Sequence, residues 1–131
     1  MTKDEEKNRR GPAFAIRYEL APQTVPGGGA LSLTAWDSRG GAIRAEKDTG
    51  LDLSAGHYLA LFTGETEDAG AALALNGARI SYLEAMPREG ARRLTLQGLI
   101  SLTGPGTLCV VNNAETPKSY GQAVLTVIRL L

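Results

Sequence analysis

His57 is the single histidine of this chain and Cys109 its single cysteine. Around them lie an acidic run (Glu65, Glu67, Asp68), the pair Trp36-Asp37, and Tyr120 at the end of a polar stretch. Each of these residue types does chemistry in some setting. One imidazole cannot build a metal centre that needs several, and it completes a Ser-His-Asp triad only beside an activated serine. No Gly-x-Ser-x-Gly turn supplies one. Gly27-Gly28-Gly29 lacks the Lys-Ser/Thr ending of a phosphate-binding loop and precedes a strand, so it reads as a turn. Glu65, Glu67 and Asp68 could offer oxygens to calcium, but their spacing matches no defined calcium loop, and a solvated acidic turn is expected. Carboxylates paired for glycoside hydrolysis can be remote in sequence. With aromatic residues at 5% of the chain, few rings are left for a sugar platform. Trp36 and Tyr120 are the candidates, with Asp37 and the acidic run beside them as ligand-loop residues. Cys109 sits in Leu108-Cys109-Val110-Val111 and is expected to be a buried, inert thiol. No catalytic set, cofactor or resident metal is expected, and the chain reads as a non-enzyme.

The bulk composition narrows the partners. At 131 residues the chain suits one domain that buries roughly two-thirds of its unfolded surface. Fourteen basic residues balance fourteen acidic ones, which argues against nucleic acid as a partner. One cysteine excludes an intrachain disulfide and a cysteine-based metal cluster. No run approaches the roughly 20 apolar residues that span a bilayer. The first ten residues carry no apolar core of a signal peptide, so synthesis inside the cell without classical secretion is expected. Residues 1–11, with seven charged side chains, read as a disordered tail and residues 12–131 as one domain.

The elements that must position these residues are short strands. Phe14, Ile16, Tyr18 and Leu20 alternate with polar neighbours, and Leu31, Leu33 and Ala35 resume the pattern after a Pro/Gly break. A turn is expected at Asp37 to Gly41, then strands at 42–45, 51–53 and 56–63. An exposed acidic loop should cover 64–70. Asn76-Gly77 predicts a two-residue hairpin between strands 71–75 and 78–85. Leu94, Leu96, Ile100 and Leu102 lie opposite Thr95, Gln97 and Ser101. Strand 107–112, a polar excursion over 113–121 and a last strand 122–131 complete the chain. No stretch keeps a helical period, and eight to ten short strands with Gly/Pro turns predict an all-β antiparallel sandwich or jelly roll.

Two of these strands are apolar on both faces. Tyr58, Ala60 and Phe62 can fill a core, which leaves Leu59 and Leu61 pointing the other way. Val124 and Ile128 likewise oppose Leu125 and Val127. A small domain rarely leaves such a patch in water. A second copy of the chain is the simplest cover, and self-association is expected.

The order of elements is familiar. Gly56-His57-Tyr58-Leu59-Ala60-Leu61 resembles the Gly-x-Tyr strand of the tumour-necrosis-factor and complement-globular-head jelly rolls. Leu73-Ala74-Leu75-Asn76-Gly77 resembles their Asn-Gly hairpin, and Leu94 through Leu108 their leucine-rich strand, Gly turn and following strand. Ala123 to Leu130 is similar to the last strand of the bacterial branch, which includes C-terminal domains of collagen-like spore-surface glycoproteins. The resemblance implies a jelly roll of about ten strands that forms a homotrimer. It places His57, Leu59, Leu61, Val124, Thr126 and Ile128 against neighbouring subunits. It further implies a structural or assembly module at a bacterial spore or cell surface, with other surface-layer proteins or glycans as partners. Gly11-Pro12-Ala13 is a single triplet with no repeat after it, unlike the Gly-X-Y stalk of the spore proteins. The alternative is a glycan- or receptor-binding head that uses the loops at 37–41, 65–70 and 113–121.

Overall fold

The computed structural model describes residues 15–33, 35–39, 43–47, 49–86, 88–90 and 92–130. The chain termini and Phe14 lie outside them. Eleven strands run through the described residues: β1 (Ala15–Leu20), β2 (Gln23–Val25), β3 (Ala35–Arg39), β4 (Ile43–Lys47), β5 (Gly50–Leu53), β6 (Gly56–Thr66), β7 (Ala71–Leu75), β8 (Ala78–Ala85), β9 (Arg93–Leu102), β10 (Gly106–Val111) and β11 (Lys118–Leu130). They form two antiparallel sheets. One has the order β3-β1-β11-β6-β9, with β2 added on β11, and the other the order β4-β5-β10-β7-β8. No described helix is long and apolar enough to cross a membrane.

Period-two patterning explains which side of each strand is inside. In the first sheet Ile16, Tyr18 and Leu20 of β1, Tyr58, Ala60 and Phe62 of β6, Leu125 and Val127 of β11, and Leu96 and Ile100 of β9 are buried. They meet Leu51, Leu53, Leu73, Leu83, Leu108 and Val110 of the second sheet in one continuous core, as expected when two inner faces interdigitate. The Asn76-Gly77 hairpin forms as predicted. Both residues have positive φ, 53° and 85°, the conformation that lets a two-residue turn follow the strand twist. Asn76 Oδ1 accepts the Thr107 N–H at 2.9 Å, which anchors the hairpin to β10.

Several boundaries differ from the sequence expectation. Asp37 falls inside β3 instead of opening a turn, and positions 40–42 lie outside the described residues. Leu31 and Leu33 are buried without joining a strand. The Leu31 amide donates to Val110 O. Strand β6 continues to Thr66, so Glu65 belongs to a strand and only 67–70 remain a loop. β11 begins at Lys118, which takes Tyr120 out of the expected polar excursion. β2, read as a chain break, pairs Gln23, Thr24 and Val25 with Tyr120, Ser119 and Lys118. In each case a neighbouring strand offered backbone partners that the local sequence did not advertise.

Candidate functional site

The outer side of the first sheet is built from residues one step out of phase with the core. On β6 these are His57, Leu59, Leu61, Thr63 and Glu65; on β11, Val124, Thr126, Ile128 and Leu130. Register sets them in rows. Ile128 lies opposite Leu59 and Leu59 opposite Leu99, with Ala15 beside Ile128. The next row is Arg17, Thr126, Leu61 and Gln97, and the one after it Glu19, Val124, Thr63 and Thr95. Leu130, His57 and Ser101 close one end. All six residues expected at a subunit contact therefore share one surface on two adjacent strands.

The rows differ in chemistry. Leu59, Leu61, Val124 and Ile128 are half-buried, while Leu99 is 59% exposed and Leu130 36%. Leu99 escaped the sequence reading because it lies in phase with polar Thr95, Gln97 and Ser101. Tyr82, 67% exposed, reaches from β8 to donate its hydroxyl to Leu99 O at 2.9 Å. That bond ties the edges of the two sheets together and extends the apolar row onto the edge of the sandwich. His57 turns Nδ1 to Ser101 Oγ at 2.7 Å, a polar contact across two strands. Arg17 and Glu19 form an ion pair at the β1 margin.

At the far end the same surface turns charged. A cleft of about 660 Å³ opens between the ends of β6, β9 and β11, lined by Glu65, Glu67, Arg92, Arg93, Ser119 and Gly121, over Thr66 and Tyr120. It sits where the β6–β11 register shifts between Tyr120 and Ala123, and a bulge of this kind bends a strand and re-aims its side chains. Asp68 (φ 60°) accepts the Gly90 N–H at 2.5 Å. That bond joins the connection after β6 to the connection before β9. Arg92, Arg93, Ser119 and Gly121 were not singled out in the sequence, since nothing local links three separate strand ends.

The remaining candidates are dispersed. Tyr120 is buried, with its hydroxyl donated to Gly70 O at 2.5 Å, so its ring belongs to the core and offers no sugar platform. Burial pushes its pKa to about 12. Trp36 and Asp37 lie on edge strand β3, in register with Tyr18 and Arg17, away from the acidic residues. Cys109 is half-buried, and burial raises its thiol pKa, which lowers the thiolate fraction. Among the described residues no group of three or more His, Cys, Asp or Glu side chains is placed to hold a metal ion.

No protein-family model matches this chain, and no curated protein matches it by sequence. Solved structures do match in shape. The globular domain of zebrafish complement 1qA superposes with a TM-score of 0.66 at 12% identity, covering 89% of this chain and 97% of that one. Murine APRIL gives 0.65 at 16% identity, over 88% and 99%. Bushbaby GITRL gives 0.65 at 10% identity, over 91% and 95%. The fold is the tumour-necrosis-factor and complement-globular-head jelly roll. At these identities the likeness is one of architecture.

Proposed function

We propose that this jelly roll is a non-enzymatic assembly module that forms a homotrimer through the outer surface of its β3-β1-β11-β6-β9 sheet. The observation that carries the reading is the row Ile128–Leu59–Leu99, flanked by Leu61, Val124 and Leu130, on a sheet whose opposite side already fills the core. Water is a poor neighbour for such a strip. A heterologous contact needs two complementary patches, and here the strip runs without a break to the Leu99–Tyr82 edge. The edge of one copy laid on the sheet surface of the next buries both, and the ring closes without a free patch. Closure at three copies comes from the resemblance to the trimeric jelly rolls. The bacterial spore or cell-surface setting comes from the resemblance of the last strand. It belongs to the same proposal and is checked by surface fractionation of the producing cells.

Sedimentation equilibrium at micromolar concentration should return three times the 13.8 kDa chain mass. Leu61→Asp should return one chain mass, because a desolvated carboxylate without a partner costs several kcal/mol in an apolar contact. A wild-type monomer ends the assembly reading. A Leu61→Asp trimer as tight as wild type removes this sheet surface from the contact.

A further inference from the structure

We infer that the cleft at the β6–β9–β11 end of the sandwich is a binding site for a neutral oligosaccharide. Its walls carry two carboxylates, Glu65 and Glu67, and two guanidiniums, Arg92 and Arg93. Glu65 and Arg93 stand directly opposite each other in the ladder, where opposite charges ordinarily pair. The ion pairs Arg17–Glu19 and Arg79–Glu84 involve none of these four cleft charges. The cleft is thus charge-balanced, with acceptors from the end of β6 and the loop after it and donors from the start of β9. A phosphate entering it meets two carboxylates, and a calcium ion meets two guanidiniums, so both simple ions are disfavoured. A zwitterion the size of an amino acid satisfies both kinds of charge but leaves most of the 660 Å³ empty. A chain of sugar rings fills a cleft of this size. Its neighbouring hydroxyls donate to carboxylates and accept from guanidiniums, which makes every hydrogen bond charge-assisted.

The backbone shapes the site for such a guest. A Cβ built on Gly121 falls 3.0 Å from Glu65 Cβ and 3.1 Å from Glu65 Oε2, so any larger residue there pushes the Glu65 side chain by a few tenths of an ångström. The bulge between Tyr120 and Ala123 bends β11 at that point. The Asp68–Gly90 hydrogen bond fixes the connection that carries Arg92 relative to the loop that carries Glu67. Ser119 adds a hydroxyl, shared at 3.2 Å with Thr24. All of its lining residues belong to one chain, and it lies at the charged end of the sheet surface, beyond the apolar rows proposed for the subunit contact.

Saturation-transfer NMR on the intact chain with lactose, maltotriose and chitotriose tests it, with inorganic phosphate and calcium chloride as controls. At least one of the sugars should receive saturation and shift the backbone amides of Arg93, Ser119 and Gly121. Binding should weaken about tenfold or more in Arg93→Gln, which removes a charge-assisted hydrogen bond. Gly121→Ala, which shifts Glu65 by a few tenths of an ångström while all four charges remain, should weaken it by a smaller factor, about two- to threefold. Arg93 is exposed, so its variant keeps the fold, and an unchanged amide fingerprint elsewhere verifies this. The inference is overturned by transfer to none of the three sugars or by binding that survives both substitutions undiminished. It is equally overturned if phosphate or calcium perturbs those amides more strongly than any sugar does.

Discussion

Asn112 is fully buried and ties the end of β2 to the connection between β10 and β11. Its Nδ2 lies 3.0 Å from Val25 O, 3.3 Å from Pro26 O and 3.0 Å from Thr116 O, and its Oδ1 accepts the Ala114 N–H at 2.9 Å. Asn112→Ala should cost about 2–4 kcal/mol in urea unfolding, since buried carbonyls lose their donor. Asn112→Asp should cost more at neutral pH, because a buried carboxylate then faces carbonyl oxygens; that variant should recover as the pH falls and the group is neutralised. The two core tyrosines make the opposite kind of prediction. Tyr18 and Tyr120 are pushed up to about 12, the first by burial and then by the charge of Asp52, the second by burial alone. The folded state therefore holds these protons after the unfolded chain has released them near pH 10. Their contribution, about 2–3 kcal/mol each, is complete below pH 10 and lost as the pH rises towards 12. Tyrosinate absorbance and the thermal midpoint should change together across that window. Phe at both positions should flatten the decline. Tyr18→Phe by itself should not destabilise the protein at neutral pH, since the buried Tyr18 hydroxyl has no partner among the described residues.

The Gly27-Gly28-Gly29 turn shows how two elements fix each other. The Gly28 amide donates to Asn112 O and the Asn112 amide to Gly29 O, so the turn after β2 clasps the connection between β10 and β11. A Cβ on Gly27 falls 2.3 Å from Glu115 O and 2.4 Å from its carbonyl carbon, whereas one on Gly28 meets nothing within 4 Å. Gly28 has φ +77°, a region alanine enters at a cost of about 1 kcal/mol. Gly27→Ala should thus lower stability by about 2–4 kcal/mol because backbone must move, and Gly28→Ala by about 1 kcal/mol. Equal losses in denaturant titrations would contradict the clasp. This element also marks where the sequence stops being informative. β9 was legible because Leu94, Leu96, Ile100 and Leu102 alternate with exposed Thr95, Gln97 and Ser101, and because one side of it faces the core. The two-sided strands were legible for the converse reason, since no two-layer sandwich covers Leu59 or Ile128. β2 was not, because Pro22 and Pro26 enclose it and its pairing with β11 is set by a partner about ninety residues away in sequence. The cleft was half legible: Glu65 and Glu67 stood out as carboxylates, but Arg92, Arg93 and Gly121 join them only through strand register.

For the molecule as a whole, the proposed assembly couples stability to association, because the same sheet that closes the core on one side carries the apolar strip on the other. A ligand that binds only the folded state raises the thermal midpoint with its concentration, and in a homo-oligomer that ligand is the chain itself. The midpoint of the wild-type protein should therefore climb as protein concentration rises. Leu99 separates the two effects better than Leu61 does. It is 59% exposed in the single chain, so Leu99→Gln removes little intrachain burial and should change the stability of an isolated subunit by no more than about 0.5 kcal/mol. On the proposed contact it replaces an apolar anchor at the point where sheet surface meets the Tyr82 edge. An apolar side chain withdrawn from water there contributes about 2 kcal/mol per contact, and a closed ring repeats that contact in every copy. The expected result is a midpoint equal to wild type at high dilution but progressively lower at high concentration, with the sedimenting mass shifted towards single chains. If Leu99→Gln and wild type instead give parallel midpoints at every concentration, the Leu99–Tyr82 edge is not what the neighbouring copy covers.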